Sequence, residues 1–199
     1  MKYNPEKHHR RSIRLPGYDY SKPGAYFITM CTRNRLCLFG DVVDKHMVLN
    51  EYGEISMRRW LEIPMHYPNV SLDEYIIMPD HVHGIIIIND VTNGTVGAIH
   101  ESPPQRISSQ QPISPFPKND TNGTDEYKKQ RRKMTLPKII GRFKMNTAKQ
   151  INQLRQTPGT TVWQRNYYEH IIRDEHELNR IRHYIAQNPA KWRNDNNYF

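Results

Sequence analysis

Apolar and polar positions change period several times along the chain. In residues 25–33, AYFITMCTR, Tyr26, Ile28 and Met30 alternate with Phe27, Thr29 and Cys31. A period of two marks a strand. Residues 36–43 follow closely enough to be its hairpin partner. Asn50 is a good N-cap, and residues 51–61 then suit a helix that Pro64 stops. Residues 75–78 suit a short strand. Residues 81–89, HVHGIIIIN, hold four consecutive isoleucines, as expected of a central strand covered on both faces. Thr135 can cap a helix running to about residue 154, with Pro137 tolerated in its first turn. Residues 160–168 suit another short strand. Asp174 caps a last helix that ends near Asn188, because Pro189 follows. Leu178, Ile181 and Ile185 form its apolar stripe.

The resulting order, β β α β β then α β α, lacks the strict alternation of a parallel doubly wound sheet. It predicts an α+β fold of ferredoxin-like or RRM-like type, an antiparallel sheet with helices packed on one face. Between the two halves, residues 91–125 are rich in Asn, Gly, Thr, Ser, Gln and Pro and show neither period. Such a segment buries too little surface to offset its ordering entropy. The chain of 199 residues therefore reads as one domain (1–199). It has an N-terminal basic arm (1–24), an insertion (91–125) and a C-terminal tail (190–199). Roughly 160 residues remain for the compact part.

Composition narrows the class. Cys31 and Cys37 are the only cysteines. That excludes a disulfide scaffold and suits reduced thiols in a cytoplasmic protein. No apolar run approaches the roughly 20 residues that span a bilayer, so no membrane partner is expected. The first residues carry no apolar segment of a secretory signal. Lys and Arg number 29 against 20 Asp and Glu, a net charge of +9, which fits the electrostatic footprint of a nucleic-acid binder, while charge alone does not separate DNA, RNA and a membrane surface. The charge is concentrated. Lys128, Lys129, Arg131, Arg132, Lys133, Lys138, Arg142 and Lys144 fall between Tyr127 and Met145 without an intervening acid. Arg10, Arg11 and Arg14 form a second block, with Tyr18 and Tyr20 nearby as stacking rings. Lys191-Trp192-Arg193 sets another ring between two cations.

Two short patterns carry chemistry. In Met78-Pro79-Asp80-His81-Val82-His83, a strand places His81 and His83 on one face with Val82 turned to the other. Two adjacent imidazoles are half of a divalent-metal site. On the last helix, Tyr184 and Asn188 are four apart and stack at the edge of the apolar stripe. Tyr167 and Tyr168 are rival reactive tyrosines, but neither has a polar partner one turn on.

These patterns are where a resemblance appears. The His81-Val82-His83 strand resembles the HUH motif (His, bulky hydrophobic, His) of single-tyrosine DNA nucleases. The string Tyr184-Ile185-Ala186-Gln187-Asn188-Pro189 resembles their nucleophile helix. Tyr26-Phe27-Ile28-Thr29 and Val162-Trp163-Gln164-Arg165, leading into Ile172-Arg173-Asp174-Glu175, narrow the likeness to the REP-associated tyrosine transposases. The similarity covers most of the chain, with residues 91–125 outside it.

The resemblance implies a DNA transposase and single-strand endonuclease that nicks and rejoins hairpin-forming repeat DNA through a 5′-phosphotyrosine. Tyr184 would be the nucleophile. His81, His83 and Asn188 would hold a divalent cation, Mg²⁺ or Mn²⁺, with Gln187 as the alternative amide. Arg10, Arg11, Arg14, Lys128, Lys129, Arg131, Arg132, Lys133 and Arg142 would contact nucleic acid. Both monomers and homodimers are compatible with the family, and no general base is assigned. The alternative is a non-catalytic nucleic-acid binding module of the same fold. A third possibility, a zinc protein, would need a further ligand such as His46, His66, His100, His170 or His176.

Overall fold

In the computed structural model, which describes residues 18–90 and 134–192, twelve segments have regular structure. In chain order they are β1 (Gly24–Cys31), a 3-10 turn (Arg33–Arg35), β2 (Gly40–Val43), β3 (His46–Leu49), α1 (Glu51–Leu61), α2 (Ile63–His66), β4 (Val70–Met78) and β5 (His81–Ile88). After residues 91–133 come α3 (Thr135–Leu154), β6 (Tyr168–Ile172), α4 (Glu175–Ala186) and α5 (Asn188–Lys191). Four strands form one sheet in the order β4-β5-β1-β6, antiparallel throughout. Setting the β2–β3 hairpin aside, this is the expected ferredoxin-like βαββαβ arrangement.

The strand period divides the core in two. Tyr26, Ile28 and Met30 of β1 and Val82, Ile86 and Ile88 of β5 meet Ile55 and Trp60 of α1 and Leu136, Ile139, Ile140 and Phe143 of α3. α1 and α3 thus cover one face. On the other face Phe27, Ile85 and Ile172 pack under Ile181 and Ile185 of α4, the stripe read from the sequence. β5 is central and buried on both sides, as its isoleucine run required. At its middle sits Gly84. A Cβ there would lie 2.3 Å from Cζ2 of the fully buried Trp60, so the indole occupies the space a side chain would need.

Three local expectations are corrected. Residues 36–43 do not pair with β1; β2 pairs with β3. Asn34 and Arg35 take left-handed backbone (φ 55° and 56°) and lead the chain away from the sheet. Asp44 and Lys45, also left-handed, then close a two-residue turn. Residues 160–167 contribute only a bridge between Thr32 and Trp163, and the edge strand, β6, begins at Tyr168. Thr135 is not a cap. Its amide donates to Ser21 Oγ at 2.9 Å, and the Leu136 amide to the Tyr20 carbonyl at 3.2 Å. The segment before β1 thus caps α3. Asn50 and Asp174 do cap α1 and α4 with their side chains. The arm up to residue 17, the insertion 91–125 and tail residues 193–199 lie outside the described residues.

Candidate active site

The site is built where β5 begins. His81 and His83 face α4, each only 5% exposed, in register with Cys31 and Thr29 of β1. Burying an imidazole is costly unless its ring nitrogens are matched. His81 Nδ1 donates to Asp80 Oδ1 at 2.5 Å, and Arg35 Nε holds Asp80 Oδ2 at 2.8 Å. His83 Nδ1 and Thr29 Oγ1 are hydrogen-bonded at 2.8 Å. The two ring centroids are 4.5 Å apart, and Phe27 stacks on His83 at 5.4 Å. Burial above all, with His81 and the Arg35 cation adding, pushes the His83 pKa down to about 3. His83 is therefore neutral across the physiological range and keeps a nitrogen lone pair.

Tyr184 reaches this pair from α4. Its hydroxyl lies 3.3 Å from His83 Nε2, and its ring is 5.2 Å from the imidazole. The ring stays 43% exposed. Ile181 and Ile185 hold the helix down by burial, and polar pairs fasten it at both sheet edges. Towards β4, Arg182 Nε and Nη2 donate to the two carboxylate oxygens of Asp73 at 2.8 and 2.6 Å. Towards β6, Glu177 bonds His170 Nε2 at 2.8 Å and accepts from the Arg173 amide at 2.9 Å. Such a two-point bidentate pair fixes orientation as well as distance.

The Arg182 guanidinium holds the Asp73 carboxyl below the usual carboxylate range. A carboxyl with a lowered folded pKa stabilises the fold above its unfolded pKa of about 3.9. It loses that contribution as pH falls through the folded value. Asp73→Asn should cost about 1 kcal/mol at neutral pH, limited by the partial exposure of Arg182. Urea unfolding at successively lower pH should show the two proteins converging in acid.

Asn188 is half-buried at the first position of α5. Among the described residues no hydrogen bond joins its side chain to either histidine. Gln187 is the C-cap of α4. Among the described residues no three of His, Cys, Asp and Glu are grouped to hold a metal. The zinc-protein reading therefore gains no further ligand there, and His100 lies outside them. Two imidazoles with their Nδ1 atoms engaged, leaving Nε2, fit a divalent cation with open coordination positions. In the tautomer that donates from Nδ1 to Thr29, His83 Nε2 has one lone pair, which serves the Tyr184 hydroxyl or a cation, not both.

The basic residues are not all brought here. Arg142 is exposed on α3, the helix covering the opposite face. Lys144 is engaged by the carbonyls of Gln164 and Asn166. Tyr20 is buried and Tyr18 packs edge-on against it at 4.9 Å, so these rings belong to the core rather than to a stacking arm. Arg10, Arg11, Arg14, Lys128, Lys129, Arg131, Arg132 and Lys133 lie outside the described residues. Trp192 sits beside the site, its ring 6.0 Å from that of His81. Sequence reasoning missed Asp80, Thr29, Arg35 and the Asp73–Arg182 pair. Two signals were present: Asp80 directly precedes His81, and Thr29 shares a face of β1 with Phe27.

The described residues thus bring together a buried histidine pair on a ferredoxin-like sheet and a tyrosine laid against it by a following helix. An uncharacterized protein of Haemophilus influenzae is 40% identical over 197 residues, spanning 99% of this chain and 97% of that protein. The chain belongs to the same family as that protein. A second H. influenzae protein, "Putative REP-associated tyrosine transposase", is 25% identical over 175 residues, 87% of this chain and 74% of its own length. That second protein carries the name of the family that the sequence motifs resemble. A solved REP-associated tyrosine transposase bound to a REP hairpin overlaps 90% of this chain and 74% of its own, with 16% identity and a TM-score of 0.45. No family model matches the sequence. No helix among the described residues is long and apolar enough to cross a membrane.

Proposed function

We propose that this transposase relative is a cation-dependent, single-tyrosine enzyme that nicks and rejoins hairpin-forming DNA. The observation that carries the proposal is the Tyr184 hydroxyl 3.3 Å from Nε2 of a buried histidine that burial keeps neutral. Tyr184 attacks the scissile phosphorus and retains the 5′ phosphate as a phosphotyrosine, and a 3′-OH leaves. The stored phosphodiester lets a second 3′-OH reseal the strand without ATP. His81, His83 and Asn188 are the residues that would hold Mg²⁺ or Mn²⁺. When bound, the cation neutralises charge developing on the phosphate. Asp80 and Thr29 orient the two imidazoles through Nδ1, a role outer partners of ligating histidines often take. Arg35 keeps Asp80 in place.

The test is covalent capture. The protein is mixed with labelled DNA hairpins bearing single-stranded tails, with Mn²⁺, with Mg²⁺ or with EDTA. A denaturation-resistant adduct is expected with either cation and not with EDTA. No adduct under any condition, together with tight salt-dependent binding, would leave the non-catalytic module as the better description. Asp80→Asn is expected to raise the Mn²⁺ concentration needed for half-maximal adduct by about tenfold. A cation titration of wild type and variant side by side checks this.

A further inference from the structure

Tyr168 entered as a rival nucleophile, and the proposed chemistry leaves it without a role. It is 41% exposed on β6, cross-strand from Thr29 and therefore on the face that carries His83. Its ring stands edge-on to Phe27 at 6.2 Å, and the Tyr184 ring stands edge-on to the same Phe27 at 6.0 Å. Phe27 itself is buried. Two exposed phenol rings thus wall a slot whose floor is a phenyl ring. The slot opens into a groove of about 380 Å³ lined by these three residues together with Arg180, His183 and Lys191. The Arg180 side chain is 68% exposed, and among the described residues it meets only the margin of Glu177, at 3.5 Å. Lys191 is also exposed.

Aromatic walls with cations at the rim are the chemistry that takes single-stranded nucleic acid. A base stacks on a ring, and its phosphate meets Arg or Lys. We infer that this groove holds one unpaired nucleotide flanking the scissile phosphate, with its base against Tyr168 and its backbone near Arg180 and Lys191. The inference rests on the DNA-cleaving reading of Tyr184, because that residue forms one wall. Tyr168 is then a stacking residue that places the strand. Every base has a π-face, so the subsite tolerates sequence while demanding an unpaired base. It discriminates single strand from duplex at the point of cleavage.

The test uses the full chain carrying Tyr184→Phe, so that binding is read without reaction. A single 2-aminopurine is walked through the single-stranded tail of a DNA hairpin. Fluorescence quenching should peak at one tail position. Adding Tyr168→Leu should remove that peak and weaken tail binding about tenfold, whereas Tyr168→Phe should keep both. Arg180→Gln should weaken binding equally at all labelled positions. Uniform quenching along the tail would overturn the subsite, as would a peak indifferent to Tyr168→Leu. The parent reading is scored separately in the Tyr184 protein. An adduct that forms while the peak ignores Tyr168 sinks the subsite alone. A Tyr168-dependent peak with no adduct sinks the chemistry alone.

Discussion

Tyr184→Phe should form no covalent adduct with hairpin DNA at any cation concentration, a loss on the order of 10⁴-fold or more. The fold should be untouched. The hydroxyl makes one hydrogen bond, to His83, and the ring is partly in solvent. The helix is held by Ile181, Ile185 and the Asp73 and His170 pairs rather than by Tyr184. A phenyl ring at 184 still meets Phe27 edge-on, so hairpin affinity should change by about twofold or less. Denaturing gels report the adduct, and anisotropy reports the affinity. Tyr168→Phe is the matched control, since it removes the other hydroxyl beside the site and should leave adduct formation intact. The reverse pattern, with the adduct lost at 168 and kept at 184, would reassign the nucleophile.

Gly84→Ala should destabilise the protein by about 3 kcal/mol, the upper end of the usual cost of overpacking. The added methyl would lie 2.3, 2.9 and 3.0 Å from three atoms of the Trp60 indole. The indole cannot step aside, because it is fully buried between the rings of Tyr75 and Phe143. The backbone of β5 must yield instead, one residue from His83. Guanidinium unfolding followed by tryptophan fluorescence reads the loss. Trp60→Leu costs stability by itself through the cavity it leaves. In the Gly84→Ala background it should cost less, because the methyl fills part of that space. A double-mutant cycle therefore gives a favourable coupling. Additive effects would mean that the two positions do not compete for one volume.

The sequence revealed most where a side chain's partner is set by backbone period. Alternation alone puts His81 and His83 on one face and Val82 on the other, and helical spacing alone sets Ile181 and Ile185 inward with Tyr184 at their margin. The α+β class followed from element order. What stayed hidden depends on contacts between distant segments. Thr29 and His83 are 54 positions apart and Asp73 and Arg182 are 109 apart. No local pattern pairs them. The turn after β1 was misread because Asn34 and Arg35 adopt left-handed backbone without a glycine to announce it. β6 was misplaced because Tyr168, Glu169 and His170 look polar, although Glu169 is buried. Arg142 stands apart from the histidine site. The run that contains it is plain in the sequence, but the packing of α3 decides that it faces away from the histidines.

The fastening of α4 at both sheet edges has a genetic consequence. The helix carrying the tyrosine is tied to the strands of its own polypeptide, through Asp73 on one side and His170 on the other. With the helix kept on its own polypeptide, a copy damaged at Tyr184 and a copy damaged at His83 are expected not to repair each other when expressed together, and repair would instead report exchange of helices between neighbouring subunits.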